Sequence, residues 1–404
     1  MKAIIFIETN KSGSSREAIR AAERLGYYTI LFTDNQKQIE QRSEYPDVHL
    51  MKFCDVNNLE EMKEIIQKLQ LRGIKIKAIT SFVDSKCCIA NRLAKEFGLN
   101  SFTNEAICKM ENKLHSRNAI IYTEYCPKYL SLEPDKIYSE NDVKDFMPGI
   151  IKSPKSAGSK DVYLVQGYSS FIKRYQELRK KLPNTPILLE EYIEGSQYIA
   201  EVLVINEKVY LIGIIEQEIS YLNDHFIVTG YYLQTEKPEY YNILYKAVKD
   251  IIQLHGLKFG PCHLELRQVN GIWKLIEINP RISGSGMNNL IELGTGINLV
   301  EQTLKLLLDE EIDIEPKFNK PVYAEYITSS EEGIIEKVTG KNRTLNSKDV
   351  LSVYIKPRKG NKITLPLSMG NRYAYVIATG ENKDEAKQNA KEAIKEIKFH
   401  ITNI

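Results

Sequence analysis

Apolar and polar positions in the first hundred residues alternate between two periods. Residues 2–7 form a continuous apolar run, residues 14–25 repeat their apolar positions at helical spacing up to Gly26, and residues 28–33 are again strand-like. The runs 48–53 and 78–82, with helical patterns at 59–71 and 85–97 that stop at Gly73 and Gly98, repeat the theme. This βαβ alternation predicts a small parallel sheet covered by helices, a fold that presents ligand loops at the carboxyl ends of its strands.

The pattern changes near residue 103. A helix is predicted over 103–121, then strands at 149–153, 163–165, 187–193, 198–205 and 208–215, a strand pair around Asn270-Gly271, and a short helix over 288–293. Strands at 322–327, 351–355 and 373–379 and a helix over 383–397 form a closing unit after Pro316 and Pro321. Three segments result: 1–102 as α/β; 103–316 as α+β with lobes 103–195 and 196–316; and 317–404 as a small α+β unit. No internal repeat is visible.

Composition narrows the function classes. The 404 residues hold 55 Lys and Arg against 53 Asp and Glu, a net charge of +2, so no general field attracts nucleic acid or a membrane surface. No apolar run reaches the length of a membrane span, and the opening run ends at Glu8, too short for a signal-peptide core; a cytoplasmic protein is expected. The six cysteines show no Cys-x-x-Cys spacing and are expected reduced, and the six histidines form no helical pair.

Chemistry concentrates in three stretches. The first is His263-Leu-Glu265-Leu-Arg267, followed by Glu277-Ile-Asn279-Pro-Arg281. Residues two apart share a strand face, so Glu265 lines up with Arg267 and Glu277 with Asn279, a set of hard oxygen ligands suited to Mg²⁺ with water and phosphate completing its shell. A two-residue hairpin at Asn270-Gly271 would set Glu265 opposite Ile276 and turn Glu277 away, so an odd-length loop or bulge is predicted at 269–272. Residues 282–287 form a small-residue turn whose free N–H groups, with those opening the next helix, would attract an anion.

The second stretch is Lys152 at the end of an apolar strand, followed by a loop containing Ser156, Gly158, Ser159 and Lys160, where a lysine and backbone amides together neutralise phosphate. Lys113 and Arg117, four apart on the predicted helix, share a face and read as solvated. The third is the strand edge Glu190-Glu191-Tyr192-Ile193-Glu194, whose backbone offers the donor and acceptor pattern of an adenine edge. The loop after the first strand has only Gly13, which removes the dinucleotide-fold reading, and Asp84 either presents an acid to a ligand or caps a helix.

In this order the segments resemble the ATP-grasp superfamily of carboxylate–amine ligases along nearly the whole chain. The Glu-Ile-Asn-Pro-Arg-Ile-Ser-Gly turn and the tail from Arg372 to Gly380 resemble its L-amino-acid ligase (dipeptide synthetase) branch. The resemblance implies an ATP-grasp architecture of mixed α/β and α+β class and a cofactor set of ATP with two Mg²⁺, for which Mn²⁺ substitutes. It implies Lys113 and Lys152 on the phosphates, 156–160 as a flexible cover, and Glu190, Glu191 and Ile193 around adenine. Glu265, Glu277 and Asn279 would hold the metals, Arg281 the transferring phosphoryl group, and the amides of Gly284 and Ser285 the oxyanion of the second step.

Gln197 stands where many relatives carry an acidic ribose ligand, which keeps Glu194 a candidate. Val228 and Tyr231 stand where dipeptide ligases tend to present an acid and a histidine, so a substrate pair other than two ordinary α-amino acids is expected. Asp84, Tyr231, Arg267 and Arg281 are the residues expected at the substrates. The rival readings are an ATP-grasp carboxylase, a purine-pathway type of ligase, and a non-catalytic ATP-binding scaffold. Small-molecule partners are expected, without nucleic acid or membrane, and the apolar faces of the first segment leave room for a homodimer.

Overall fold

Alternate residues of the strand Lys2–Ile7 leave on opposite faces, and both faces are covered: Ile4 and Phe6 pack with Leu31, Ile5 and Ile7 with Ile30 and Phe32. Burial on two sides explains why every position from Ala3 to Ile7 is apolar, while Lys2 at the strand's start is exposed. In the computed structural model, which describes residues 1–402, this strand belongs to a parallel four-stranded sheet ordered Leu50–Phe53, Tyr28–Thr33, Lys2–Ile7, Lys75–Thr80. The helices Ser14–Arg24, Leu59–Leu71 and Cys87–Glu96 supply buried faces to its two cores.

A second, antiparallel sheet of four strands is ordered Tyr129–Leu132, Ile187–Glu191, Gly149–Lys152, Val162–Val165, with Phe171 and Leu178 of the helix Tyr168–Lys181 on its core face. The largest sheet has eight strands, in the order Ile272–Asn279, Gly260–Val269, Gln197–Ile205, Lys208–Leu222, His225–Gln234, Val322–Ile327, Ala374–Thr379, Val350–Ile355. It runs unbroken from the central segment into the last one, through the pairing of Gly230 with Glu325. A three-stranded sheet of Lys362–Ile363, Gly333–Thr339 and Lys398–Thr402 completes the chain. Among the described residues no helix is long and apolar enough to cross a membrane.

Several expectations are corrected. The single helix expected over 103–121 is two, Asn104–Met110 and Lys113–Ile120. Asn112 caps the second by accepting from the amides of Leu114 and His115, while the Lys113 amide donates to Pro154 O at 2.9 Å. The break thus brings Lys113 against the loop after Lys152. The cysteines are not all reduced: Cys88 and Cys108, 20 residues apart, form a disulfide between two helices, and Cys54, Cys87, Cys126 and Cys262 are free and buried. The strand His225–Gln234 and the helices Tyr168–Lys181, Tyr241–His255 and Leu299–Leu308 also went unread in the sequence.

Candidate active site

Three neighbouring strands build the polar floor of the site. Across them Glu201 pairs with His263 and His263 with Asn279; one step along, Ile199 pairs with Glu265 and Glu265 with Glu277. The intervening residues Ala200, Val202, Leu264, Leu266 and Ile278 enter the core behind the sheet. Trp273 and Leu275 enter the same core, so strict alternation would have carried Glu277 inward with them.

The parity change is therefore real, but its place corrects the expectation. The turn at Asn270-Gly271 is a two-residue hairpin with φ of 50° and 82°, and pairing is regular from Val269–Ile272 to Leu266–Leu275. The register shifts only beyond Leu266, where Ile276 is the extra residue. Its carbonyl accepts from Arg117 Nη2 at 2.6 Å and from Lys152 Nζ at 3.4 Å. One bulge thus turns Glu277 toward Glu265 and anchors two cations.

Those cations belong to a buried network. Glu190 Oε1 lies 2.5 Å from Arg117 Nε and its Oε2 2.6 Å from Lys152 Nζ. Arg117, expected to be solvated, is 0% exposed. Burial works to raise the Glu190 carboxyl, but Arg117 and Lys152 outweigh it and hold it below the usual range. Burial lowers the Lys152 ammonium despite that partner. The Glu190 side chain is committed to this pair, which leaves only its backbone for a nucleotide base.

Lys113 Nζ bonds Glu277 Oε1 at 3.0 Å and Ser156 O at 2.8 Å, joining the expected phosphate loop to the acidic pair. Burial first, then the facing Glu277, pushes Glu265 up to about 7, whereas Lys113 outweighs burial and holds Glu277 low. Two facing carboxylates that disfavour each other's charge are what a hard divalent cation would relieve. His263 Nδ1 donates to Arg281 O at 2.8 Å and Nε2 faces Asn279 Nδ2 at 3.2 Å, a neutral tautomer consistent with a pKa lowered to about 4, chiefly by burial. The Asn279 amide nitrogen is thereby engaged and its carbonyl oxygen is the end available to a metal. No group of three or more His, Cys, Asp or Glu suited to a metal occurs among the described residues, and two carboxylates with one amide oxygen would leave most of an ion's shell to other ligands.

Other candidates take up different work. Gln197 does not present a free side chain: Nε2 donates to Glu265 Oε2 at 2.7 Å and Oε1 accepts from Arg267 Nε at 2.9 Å. Arg267 also donates to Ile193 O and lies 5.7 Å over the Tyr192 ring, so it ties the connector down from the cavity wall. Glu194 is exposed and outside the cavity. The Glu191 amide donates to Lys128 O at 3.0 Å. Asp84 does not cap the turn it opens; its carboxylate grips Arg281 through Nε at 2.5 Å and Nη2 at 2.6 Å. Burial raises Asp84, Arg281 outweighs it, and the carboxylate stays charged.

The turn after Arg281 is partly spoken for. The Ser283 amide and hydroxyl both bind Glu201, and the Gly286 amide donates to Tyr326 OH at 3.2 Å, so of the expected anion-binding amides only those of Gly284 and Ser285 remain candidates. Gly13 of the first loop, at φ 82°, packs so tightly here that a Cβ would lie 2.9 Å from Ser285 N. The N-terminal loop therefore forms a wall of the same site.

Sequence reasoning missed Glu201, although a lone acid within the apolar run 199–205 was a signal. It is 0% exposed, and burial pushes its carboxyl up to about 8. An acid raised in the fold favours the folded state at low pH, and that contribution is lost as pH rises from about 4.5 through about 8. Glu201→Gln is accordingly expected to flatten the fall in melting temperature across that window. Parallel slopes for both proteins would show Glu201 to be charged at neutral pH. Also missed were Arg372, Tyr326 and Tyr375 of the last segment, which line the cavity.

All of these elements enclose one cavity of about 640 Å³, lined by the first loop, Asp84, Lys113, Lys152, the 156–159 loop, Glu265, Glu277, Asn279, Arg281 and Arg372. This is the size of a site for nucleotide-sized ligands. Residues 146–289 match the family profile of the ATP-grasp domain, and residues 325–402 that of the L-amino acid ligase C-terminal domain 2. The chain is an enzyme of the ATP-grasp ligase family. Its last segment carries the domain that marks the L-amino acid ligases.

An uncharacterized protein y4rH of Sinorhizobium fredii is 22% identical over 99% of this chain and 83% of its own. Dapdiamide A synthase of Enterobacter agglomerans is 20% identical over 76% of this chain and 74% of its own. Among solved structures, the L-amino acid ligase from Bacillus licheniformis superposes with a TM-score of 0.82 at 19% identity, covering 100% of this chain and 99% of that one.

Proposed function

We propose that this enzyme joins a small carboxylic acid, amino acids among them, to an amine in a reaction driven by ATP and Mg²⁺. The observation that carries the reading is the convergence in one cavity of the facing pair Glu265 and Glu277 with Lys113, Lys152 and Arg281. In the first step the substrate carboxylate attacks the γ-phosphorus, the bond to the β-phosphate oxygen breaks, and an acyl-phosphate and ADP form. In the second the amine adds to the acyl carbon, phosphate leaves, and the amine gives up a proton as the amide forms.

Lys113 and Lys152 neutralise the phosphates, under a cover formed by Ser156, Gly158, Ser159 and Lys160. The Glu191 carbonyl and the Ile193 amide bracket adenine. Glu265, Glu277 and the Asn279 carbonyl would hold Mg²⁺, which would supply charge neutralisation at the phosphates. Arg281, aimed by Asp84, steadies the transferring phosphoryl group, and the amides of Gly284 and Ser285 receive the oxyanion. Catalysis of this type is positioning and electrostatics, which accounts for the number of fixed cations around two acids. The covering loop supports the need to keep water from the acyl-phosphate: Gly158 O accepts from the Met369 amide at 3.0 Å, so the last segment helps to close it.

The test is ADP release from Mg·ATP across single and paired amino acids, small carboxylates and amines. Release that requires a carboxylate and rises with an added amine supports the ligase. Silence across the panel with ATP still bound refutes it.

A further inference from the structure

Two of the six cysteines are set apart from the rest. Cys54, Cys87, Cys126 and Cys262 are free and buried, and burial pushes their thiols up, which keeps them protonated and unreactive. Cys88 and Cys108 are joined and both are half-buried, so their bond can be reached from solvent. Its two ends are unlike. Arg92 Nη2 lies 3.9 Å from Cys108 Sγ, and a cation beside a sulfur favours its thiolate and makes it the better leaving group. Cys88 is the second residue of the helix Cys87–Glu96, but its amide donates to Glu111 Oε1 at 2.7 Å, which uses the helix-end donor that would otherwise favour a thiolate there. Charge released on cleavage therefore settles at Cys108.

The bond also joins two elements that serve the active site. Asp84, which grips Arg281, lies four residues before Cys88, in the turn that leads into the same helix. Lys113, which bonds Glu277 and Ser156 O, lies five residues after Cys108 and opens the next helix. A second tie links the same elements: Asn91 Nδ2 donates to Phe102 O and Asn91 Oδ1 accepts from the Phe102 amide, both at 2.8 Å. Opening the disulfide therefore loosens this junction without detaching it.

We propose that Cys88 and Cys108 form a reversible redox site, opened by a dithiol, which sets how firmly Asp84 and Lys113 are held at the active site. The inference goes beyond the ligase reading, on which only its turnover readout rests. A thiolate of the dithiol attacks Cys88 Sγ, the bond between the two protein sulfurs breaks, and Cys108 leaves as a thiolate beside Arg92. The second sulfur of the dithiol, also as a thiolate, then attacks the mixed disulfide and Cys88 departs. The dithiol ends as a cyclic disulfide, oxidised by two electrons, and the protein pair is reduced by the same two. The two protons given up by the dithiol go to Cys88 and to Cys108 or the solvent. With the bond closed, the turn bearing Asp84 and the helix opening at Lys113 are fixed to each other; with it open, each can drift, and groups that act by position lose rate over small distances.

The test equilibrates the native protein along a series of reduced to oxidised dithiothreitol ratios, alkylates the free thiols and maps them by mass spectrometry. ADP release and the rise in melting temperature on adding Mg·ATP are measured on the same samples. Cys88 and Cys108 are expected to label together and to re-pair on reoxidation, while the four buried cysteines stay unlabelled. Turnover should fall about 10-fold on reduction and return on reoxidation, and the rise in melting temperature should shrink and recover with it. Cys88→Ser and Cys108→Ser should behave as the reduced wild type at every ratio; if either fails to fold, the two redox states of the wild type still carry the comparison. A pair that labels only after denaturation, thiols that never re-pair, equal turnover and ATP stabilisation in both states, or a redox response that survives in both variants overturns the proposal. If the pair opens reversibly and ATP stabilisation changes with it while no substrate releases ADP in either state, the redox site stands and the ligase reading fails.

Discussion

Glu277→Gln is expected to lower turnover by about 100-fold or more while the protein stays folded, because one oxygen of the proposed metal site becomes a neutral amide in a step worth several kcal/mol of charge stabilisation. The fold should survive for a reason visible in the apo site. Removing the Glu277 charge deprives Lys113 of its partner at 3.0 Å, but it also ends the repulsion that helps to push Glu265 up to about 7. The two changes oppose each other, so the melting temperature without nucleotide should move little. Adding Mg·ATP should raise the melting temperature of the wild type and not of the variant, since a ligand stabilises only the state that binds it. Full turnover in Glu277→Gln would remove it from the metal site, and an unfolded variant would make its role structural.

Glu190→Gln is expected to cost about 3–5 kcal/mol of folding stability by leaving Arg117 and Lys152 buried without their shared carboxylate. Arg117 is 0% exposed and Lys152 and Glu190 each 4%, so water cannot take over. Denaturant unfolding of both proteins measures this, and a loss below about 1 kcal/mol would mean that the network is solvated. ATP affinity should fall in parallel, because Lys152 is aimed by the same pair.

Much of this protein is legible along the chain because its elements obey short periods. The apolar run 3–7 specified a strand buried on both faces, and the spacing of Glu265, Glu277, Asn279 and Arg281 placed the acids on strands before any contact was known. Charge and composition correctly gave no sign of the ion pairs, since a sum near zero says nothing about which charges are buried together.

What the tertiary structure alone decided is which groups meet. Arg117 and Glu190 are 73 residues apart, Asp84 and Arg281 197, and Ser285 and Arg372 87. No local period links positions so distant; their pairing follows from which sheets and loops face the cavity. Gln197 is a strut between Glu265 and Arg267 because the strand register set it opposite Arg267. The parity of Glu277 turned on a single extra residue, Ile276, four residues beyond the turn at 269–272, where its carbonyl accepts from Arg117 and Lys152. The sequence by itself determined strands, helices and the kinds of side chain each would present. Burial and register, which depend on the whole chain packing at once, determined which of those side chains are paired, which are left for a ligand, and therefore what the site can hold.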